Sequence, residues 1–184
     1  MPVSAVFLDR DGTINEETHH LYRYKDWRWL PGSIDAIRAL NEAGYLVIVV
    51  SNQGGVARGL YSASDVDQLH RQVDRELVMR GGRIDSYYYC PHHPRYGDSG
   101  ECECRKPAPG LLLRAALRWD IELKQSFIVG DKATDVEAGI NAGVTPIMVA
   151  TGYGAEQREL VPSTTRYVAD LLEAAQLITG IFRR

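Results

Sequence analysis

Long apolar runs are missing from this sequence, and so are an excess of basic charge and any abundance of cysteine. No stretch of the 184 residues approaches the roughly 20 apolar residues needed to span a bilayer. The first residues, Met1-Pro2-Val3-Ser4, lack the basic start and apolar run of a secretory signal. A cytoplasmic protein with no membrane partner is expected. Lysine and arginine number 21 against 24 acidic residues, for a net charge of -3, so no broad positive field is available for a phosphate backbone and no nucleic-acid partner is expected. The three cysteines, Cys90, Cys102 and Cys104, fall in one segment. An odd, clustered set in a reducing compartment favours metal ligation over disulfides. Repeats, low-complexity tracts and linkers are absent as well. One domain over residues 1–184 is expected, and a hydrophobic content of 45% is enough to bury a core without cross-links, which makes a monomer feasible.

What is present is an alternation of strands and helices. Val3 to Leu8 is a short apolar strand running into Asp9-Arg10-Asp11-Gly12-Thr13. Ser33 is placed to cap a helix in which Ile34, Ile37 and Leu40 recur at helical spacing before Gly44. Tyr45 to Val50 is almost wholly apolar and rich in branched residues, as in a strand covered on both faces. Val66, Leu69, Val73 and Leu77 mark one face of a second helix, and Ile84 to Tyr89 reads as a third strand. Pro109 suits the first turn of a helix that carries Leu112, Leu113, Ala116 and Leu117. Ser126 to Val129 is a strand entering Gly130-Asp131-Lys132. Val136 to Ala142 is helical, Pro146 to Ala150 a strand, and Asp170 opens a last helix after a short strand near Tyr167-Val168. The pattern predicts an α/β fold, a three-layer, Rossmann-like parallel sheet with ligands beyond the carboxyl ends of its strands.

Those ends carry the residues that phosphoryl transfer needs. Asp9 and Asp11 follow the first strand, Ser51 the second, and Asp131 with Lys132 the fourth. Two carboxylates two residues apart, joined by a loop that Gly12 keeps tight, can face one small volume, and Asp131 adds an oxygen ligand from a neighbouring strand. That shell suits Mg²⁺. A carboxylate can attack phosphorus directly and split hydrolysis into two displacements. Each residue also has a plainer role open to it: Asp9 and Asp11 as turn residues, Ser51 as a strand terminator, Lys106 and Lys132 as solvated charges.

Taken together, these residues resemble the motifs of the haloacid dehalogenase (HAD) superfamily of phosphatases. Asp9-Arg10-Asp11-Gly12-Thr13 is similar to its DxDGT motif, Ser51 to its second-motif Ser/Thr, Lys106 to its third-motif lysine, and Gly130-Asp131 with Asp135 to its fourth acidic motif. The resemblance implies that Asp9 is the nucleophile, and that Asp11 is first general acid and then general base. Ser51 and Lys106 would hold the transferring phosphoryl group. Asp9, the backbone carbonyl of Asp11, and Asp131 would ligate Mg²⁺, with Asp135 acting through water or simply stabilising a helix N-terminus.

The cysteine segment forms two chelating pairs, Cys90-Pro91-His92 and Cys102-Glu103-Cys104, which together can close a tetrahedral Zn²⁺ site. His93 is the rival ligand, and three free thiols beside ordinary histidines is the alternative. Zinc here would staple a loop over about residues 90–106 that leads into Arg105-Lys106, without taking part in chemistry. Between Ser51 and Lys106 there is no room for a separate cap domain, so an open, capless site is expected. Capless members with a CxH…CxC loop resemble the heptose 1,7-bisphosphate 7-phosphatases, and histidinol-phosphate phosphatases share the loop. The CPHHP, CxCRKP, SNQGGVARG and VGDK strings match the heptose enzymes. The resemblance implies a small sugar-phosphate substrate and release of its 7-phosphate in nucleotide-heptose synthesis for lipopolysaccharide core or surface-layer glycans. Arg105 would bind the distal phosphate through its planar fork. Asn52 and Lys132 would join it in binding substrate, and Glu17, Thr18, His19 and His20 would form the sugar-contacting segment, with His20 where the heptose enzymes commonly carry tyrosine. Arg58 and the Gly152-Tyr153-Gly154 loop are candidates for the rim. Histidinol phosphate, a broad set of small phosphates, and a non-catalytic zinc-stapled interaction module are the competing readings.

Overall fold

The computed structural model describes residues 3–97 and 102–180. Met1 and Pro2, and residues 98–101 of the expected zinc loop, lie outside the described residues. Six strands form one sheet: β1 (Ala5–Leu8), β2 (Leu46–Asn52), β3 (Ser86–Cys90), β4 (Phe127–Gly130), β5 (Thr145–Val149) and β6 (Arg166–Val168). They lie in the order β3-β2-β1-β4-β5-β6, every neighbouring pair parallel. The helices are α1 (Ser33–Glu42), α2 (Ala63–Met79), α3 (Gly110–Trp119), α4 (Ala133–Ala142), the short α5 (Gly154–Gln157) and α6 (Leu171–Thr179).

Alternation along each strand builds the three layers. Val6 and Leu8 of β1, with Val47 and Val49 of β2, pack among Ile34, Ile37 and Leu40 of α1, Leu69, Val73 and Leu77 of α2, and Leu171 and Ala174 of α6. Their neighbours Ala5, Phe7, Ile48 and Val50 point the other way, into Leu111, Leu112 and Ala115 of α3 and Ala138 and Ala142 of α4. With side chains buried on both faces, β1 and β2 have to be apolar throughout, which is why they read as continuous runs rather than as alternation.

Three expectations shift. Ser33 is not a cap: Gly32, at φ +77°, takes that position, and Ser33 is the first residue of α1, its buried hydroxyl without a hydrogen-bond partner. On α3 the sheet-facing residues are Leu111, Leu112 and Ala115, whereas Leu113 is 45% and Leu117 89% exposed. In the run Leu-Leu-Leu-Arg-Ala-Ala-Leu two adjacent helix faces are about equally apolar, and packing against β2 and β3 selects the one that includes Leu111. Finally, Ser51 lies inside β2, paired with Tyr89, rather than after it.

The topology fixes where a ligand sits. The chain leaves β1 toward β2 on one side and reaches β4 on the other, so the strand order reverses at β1, and in open parallel sheets the crevice at that reversal is the binding place. Between β1 and α1 the chain forms no helix apart from the single 3-10 turn Tyr24–Asp26. Among the described residues no cap domain covers the crevice.

Candidate active site

Beyond the carboxyl ends of β1, β2 and β4 lies a cavity of about 1050 Å³ whose walls include Asp9, Asp11, Asn52, Lys106, Lys132 and Asp135. Its floor is a buried charge network. Asp9 leaves β1 with its amide hydrogen-bonded to the Val129 carbonyl at 2.9 Å, and its carboxylate is 2.8 Å from Lys106 Nζ. The same ammonium donates to the Val50 carbonyl at 2.7 Å and lies 2.6 Å from Asp135 Oδ1. All three charges are at least nine-tenths buried. Asp9, Asp131 and Asp135 bring carboxylate oxygens within 4.8 Å of one another.

Two bare backbone positions make this packing possible. A β-carbon on Gly12 or on Gly152 would overlap the Asp131 carboxylate, and both glycines have positive φ, 85° and 57°. Asp131 is further fixed by the Tyr153 amide, which donates to it at 2.8 Å. The tight loop expected at Gly12 is therefore required twice, for its conformation and for its lack of a side chain.

The carboxyls differ in their protonation. Burial works against ionising Asp9, but the Lys106 and Lys132 ammonium groups and its hydrogen bonds outweigh it and hold Asp9 below the usual range. Asp131 goes the opposite way: burial, with the charge of Asp9 added, pushes it up to about 8. Asp135 is raised for the same two reasons, and Lys106 only partly offsets them. Burial disfavours the Lys106 ammonium, yet Asp135 and Asp9 raise its pKa overall and keep it charged. A carboxylate kept ionised beside carboxyls that resist ionisation is a site short of positive charge, and hard oxygen donors so arranged fit Mg²⁺.

The remaining expected residues fall around this floor. The Asp11 carboxylate lies outside the three-carboxylate cluster. It accepts instead from Arg10 Nη2 at 2.9 Å, from Asn15 Nδ2 at 2.9 Å and from Gln53 Nε2 at 3.2 Å, which leaves only its carbonyl for a metal, while Asp135 brings the third carboxylate. Asn52 lines the cavity, but both ends of its amide are engaged on the Lys106 backbone at 3.0 Å. Lys132 Nζ pairs with Glu17 at 3.0 Å and lies 3.9 Å from Asp9. His20 meets Arg58 at 3.1 Å, and His19, at φ +64°, meets the Tyr153 hydroxyl at 3.2 Å. Arg105 donates to the His92 carbonyl at 2.9 Å and also lines the cavity. Gln53 and Tyr61, which border the cavity too, had no place among the expected site residues. Gln53 had a signal in the SNQGGVARG string, which ends at Gly59, and Tyr61, two residues beyond it, had none.

The cysteine cluster is compact. Cys90 and Cys102 sulfurs are 3.6 Å apart, Cys102 and Cys104 3.7 Å, and His92 Nδ1 is 3.3 Å from Cys104 and 3.7 Å from Cys90. A tetrahedron with zinc–sulfur bonds of about 2.3 Å has sulfur–sulfur edges of about 3.8 Å, so the donors already stand where zinc requires them. His93 is turned away. Its Nδ1 accepts from the Arg95 amide at 3.1 Å and its ring packs on Tyr96.

The HAD-hydrolase-like family model matches residues 103–175. Curated relatives named D-glycero-β-D-manno-heptose-1,7-bisphosphate 7-phosphatase include one from Rhodopseudomonas palustris, 47% identical over 76% of this chain and 79% of that one. Another, from Escherichia coli, is 41% identical over 82% of this chain and 81% of its own length. The chain belongs to the heptose-bisphosphate phosphatase family of HAD-like hydrolases. Its fold agrees with that of a family member from B. bronchiseptica, a D,D-heptose 1,7-bisphosphate phosphatase solved in complex with magnesium and phosphate: the TM-score is 0.88 at 36% identity, over 97% of this chain and 100% of the other. Family membership makes phosphate-ester hydrolysis the chemistry of the site.

Proposed function

We propose that this chain removes the 7-phosphate from D-glycero-β-D-manno-heptose 1,7-bisphosphate through a phosphoryl-enzyme on Asp9, with Mg²⁺ as catalytic ion and Zn²⁺ as a structural one. The observation that carries the reading is the buried Lys106 ammonium between Asp9 and Asp135 at the floor of an uncapped cavity, in a chain whose relatives bear that name. Asp9 attacks phosphorus in line while Asp11 gives its proton to the departing sugar oxygen. Ser51 and Lys106 hold the phosphoryl oxygens. Asp11 then takes a proton from the water that attacks the phosphoryl group on Asp9, and phosphate leaves. Asp9, Asp131 and the Asp11 carbonyl would hold Mg²⁺, with Asp135 behind, and the ion would neutralise charge on the phosphoryl oxygens.

Recognition of the sugar and its second phosphate would fall to the rim. Arg105 keeps donors free beyond its bond to His92 and can take the distal phosphate in two-point fashion. Glu17, His20 and Lys132 face the same cavity. Cys90, His92, Cys102 and Cys104 would close on Zn²⁺ and fix the chain that delivers Arg105 and Lys106.

The test is phosphate release, with Mg²⁺ present, from both anomers of the heptose bisphosphate, histidinol phosphate, fructose 1,6-bisphosphate and simple monophosphates. A preference of about a hundredfold in kcat/KM for the β-anomer, about 2.7 kcal/mol of transition-state discrimination, is expected. A flat profile would remove the heptose assignment, and a peak on histidinol phosphate would replace it.

A further inference from the structure

A polar group made of Arg10, Asn15 and Gln53 packs around the Asp11 carboxylate. Arg10 is among the most deeply buried side chains of the protein, at 1% exposed. Its Nε and Nη2 lie along the Asp11 carboxylate, 3.1 Å from Oδ1 and 2.9 Å from Oδ2. Nη2 also donates to the Leu21 carbonyl at 2.9 Å and to Gln53 Oε1 at 3.3 Å, and Nη1 meets His70 Nε2 at 3.4 Å. A guanidinium only donates, so His70 accepts at Nε2 and its ring is neutral. Burial, then the neighbouring Arg10 charge, pushes that imidazole down to about 3. His70 is in turn stacked on Tyr87 at 4.1 Å. With every nitrogen of its fork engaged, Arg10 has no freedom to turn away.

The orientation of Gln53 follows by elimination. Its Oε1 accepts from the Tyr61 hydroxyl at 2.9 Å and from Arg10 at 3.3 Å, and a flipped amide would set its NH₂ against the donor-only Arg10 and its oxygen against the Asp11 carboxylate. Nε2 is therefore held on the opposite side, where it donates to Asp11 Oδ2 at 3.2 Å and to Ser51 Oγ at 3.3 Å. Tyr61 is itself confined, because a β-carbon on Gly55 would overlap its ring. The second glycine of Gln53-Gly54-Gly55 thus leaves space for the tyrosine that orients the glutamine.

We infer that Gln53, oriented by Arg10 and Tyr61, is a positioning residue that sets the Asp11 carboxyl for proton transfer and ties it to Ser51. The inference rests on the proposed phosphatase reading. In the first displacement the bond from phosphorus to the sugar oxygen breaks, the bond to Asp9 forms, and the Asp11 proton ends on the sugar oxygen. In the second, water forms the new bond to phosphorus, the Asp9 bond breaks, and the water proton returns to Asp11. A displaced Asp11 harms the first displacement in proportion to how strongly the leaving oxygen needs that proton.

That proportionality supplies a readout that a merely structural role would not move. Gln53→Leu and Tyr61→Phe would be compared with the unaltered protein on heptose bisphosphate, whose leaving group is a basic alkoxide, and on p-nitrophenyl phosphate, whose leaving group needs little protonation. The ratio kcat/KM reports only steps up to release of the leaving group, so the later task of Asp11 as base does not enter. Gln53→Leu is expected to lower kcat/KM on the heptose substrate about 10- to 100-fold, mainly through kcat, and on the aryl substrate less than about threefold. Tyr61→Phe should show the same pattern at smaller size, and it carries the test if Gln53→Leu does not fold. Equal losses on the two substrates, or no loss on either, would overturn the inference while leaving the phosphatase reading intact. No turnover of either substrate by the unaltered protein would overturn both.

Discussion

Among the described residues the protein has two clusters of ligand-type side chains, and they are built on opposite principles. The thiol cluster gathers Cys90 from the end of β3 and His92, Cys102 and Cys104 from the segment after it, with donor atoms spaced as zinc requires and His93 turned out. The carboxylate cluster gathers Asp9, Asp131 and Asp135 from two strand ends and a helix start, with Lys106 inserted between two of them and Lys132 beside a third. The first holds nothing but soft donors and fits a closed site. The second already contains part of its own countercharge and borders a cavity, which fits a site where a charged substrate comes and goes. On the proposed reading one cluster would serve shape and the other chemistry, and Arg105-Lys106, directly after Cys104, joins them.

Asp9→Asn separates them most sharply. It removes the proposed nucleophile while hardly changing volume, so activity should fall by about a thousandfold or more with zinc content and helical content unchanged. Phosphate release assays beside metal analysis check this. Normal turnover, with no deamidation back to aspartate, would rule out the covalent route.

The next largest effect is expected at the junction. Arg105→Ala removes a fork that bonds the His92 carbonyl on one side and has donors left for an anion on the other. A charge-assisted hydrogen bond is worth about 1.5–3 kcal/mol, so KM for a bisphosphate should rise about 10- to 100-fold while KM for a monophosphate changes little. An equal rise for both would assign Arg105 to the loop rather than to the substrate.

Cys102→Ser tests the other cluster. Zinc content should fall with thermal stability, by about 5–10 °C if the lost ligation is worth a few kcal/mol in a chain of this size, and kcat should fall only several-fold because Lys106 is also held by Asn52. Unchanged metal content in this variant would sink the four-ligand site.

The two clusters were also unequally legible. Four soft ligands within fifteen residues of sequence are a local pattern, and chelate spacing survives whatever the rest of the chain does. The alternation of elements and the strand-end location of Asp9 and Asp131 were readable for a similar reason, since apolar runs report a doubly covered sheet. What could not be read is what depends on packing between distant segments. Nothing local tells Leu111 from Leu113 on α3, or shows that both ends of the Asn52 amide go to the Lys106 backbone. Nothing local shows that Gln53 faces Asp11, 42 sequence positions before it. The Ser33 miss is of another kind: the preceding Gly32 adopts a positive φ, which lets the backbone enter α1 one residue earlier with no side-chain cap at all.

The smallest expected effect concerns protons, and it distinguishes the clusters without any substitution. In the folded protein Asp131 is raised to about 8, first by burial and then by the charge of Asp9, from an ordinary value near 4. Between those two values the folded state holds a proton that the unfolded state has released, so the metal-free protein should lose stability as pH rises from about 4 to about 8. A divalent cation among the carboxylates reverses the bias, because it favours the ionised form. Mg²⁺ should therefore raise Tm more at pH 8 than at pH 5.5, and its binding at pH 7 should release protons, measurable as a dependence of the binding heat on buffer ionisation enthalpy. The thiol cluster should contribute nothing to this difference in a zinc-loaded sample, since all four of its donors would be committed. A Mg²⁺ stabilisation that is the same at both pH values would mean that the ion does not sit against Asp131, and the assignment of the carboxylate cluster to the metal would have to be withdrawn.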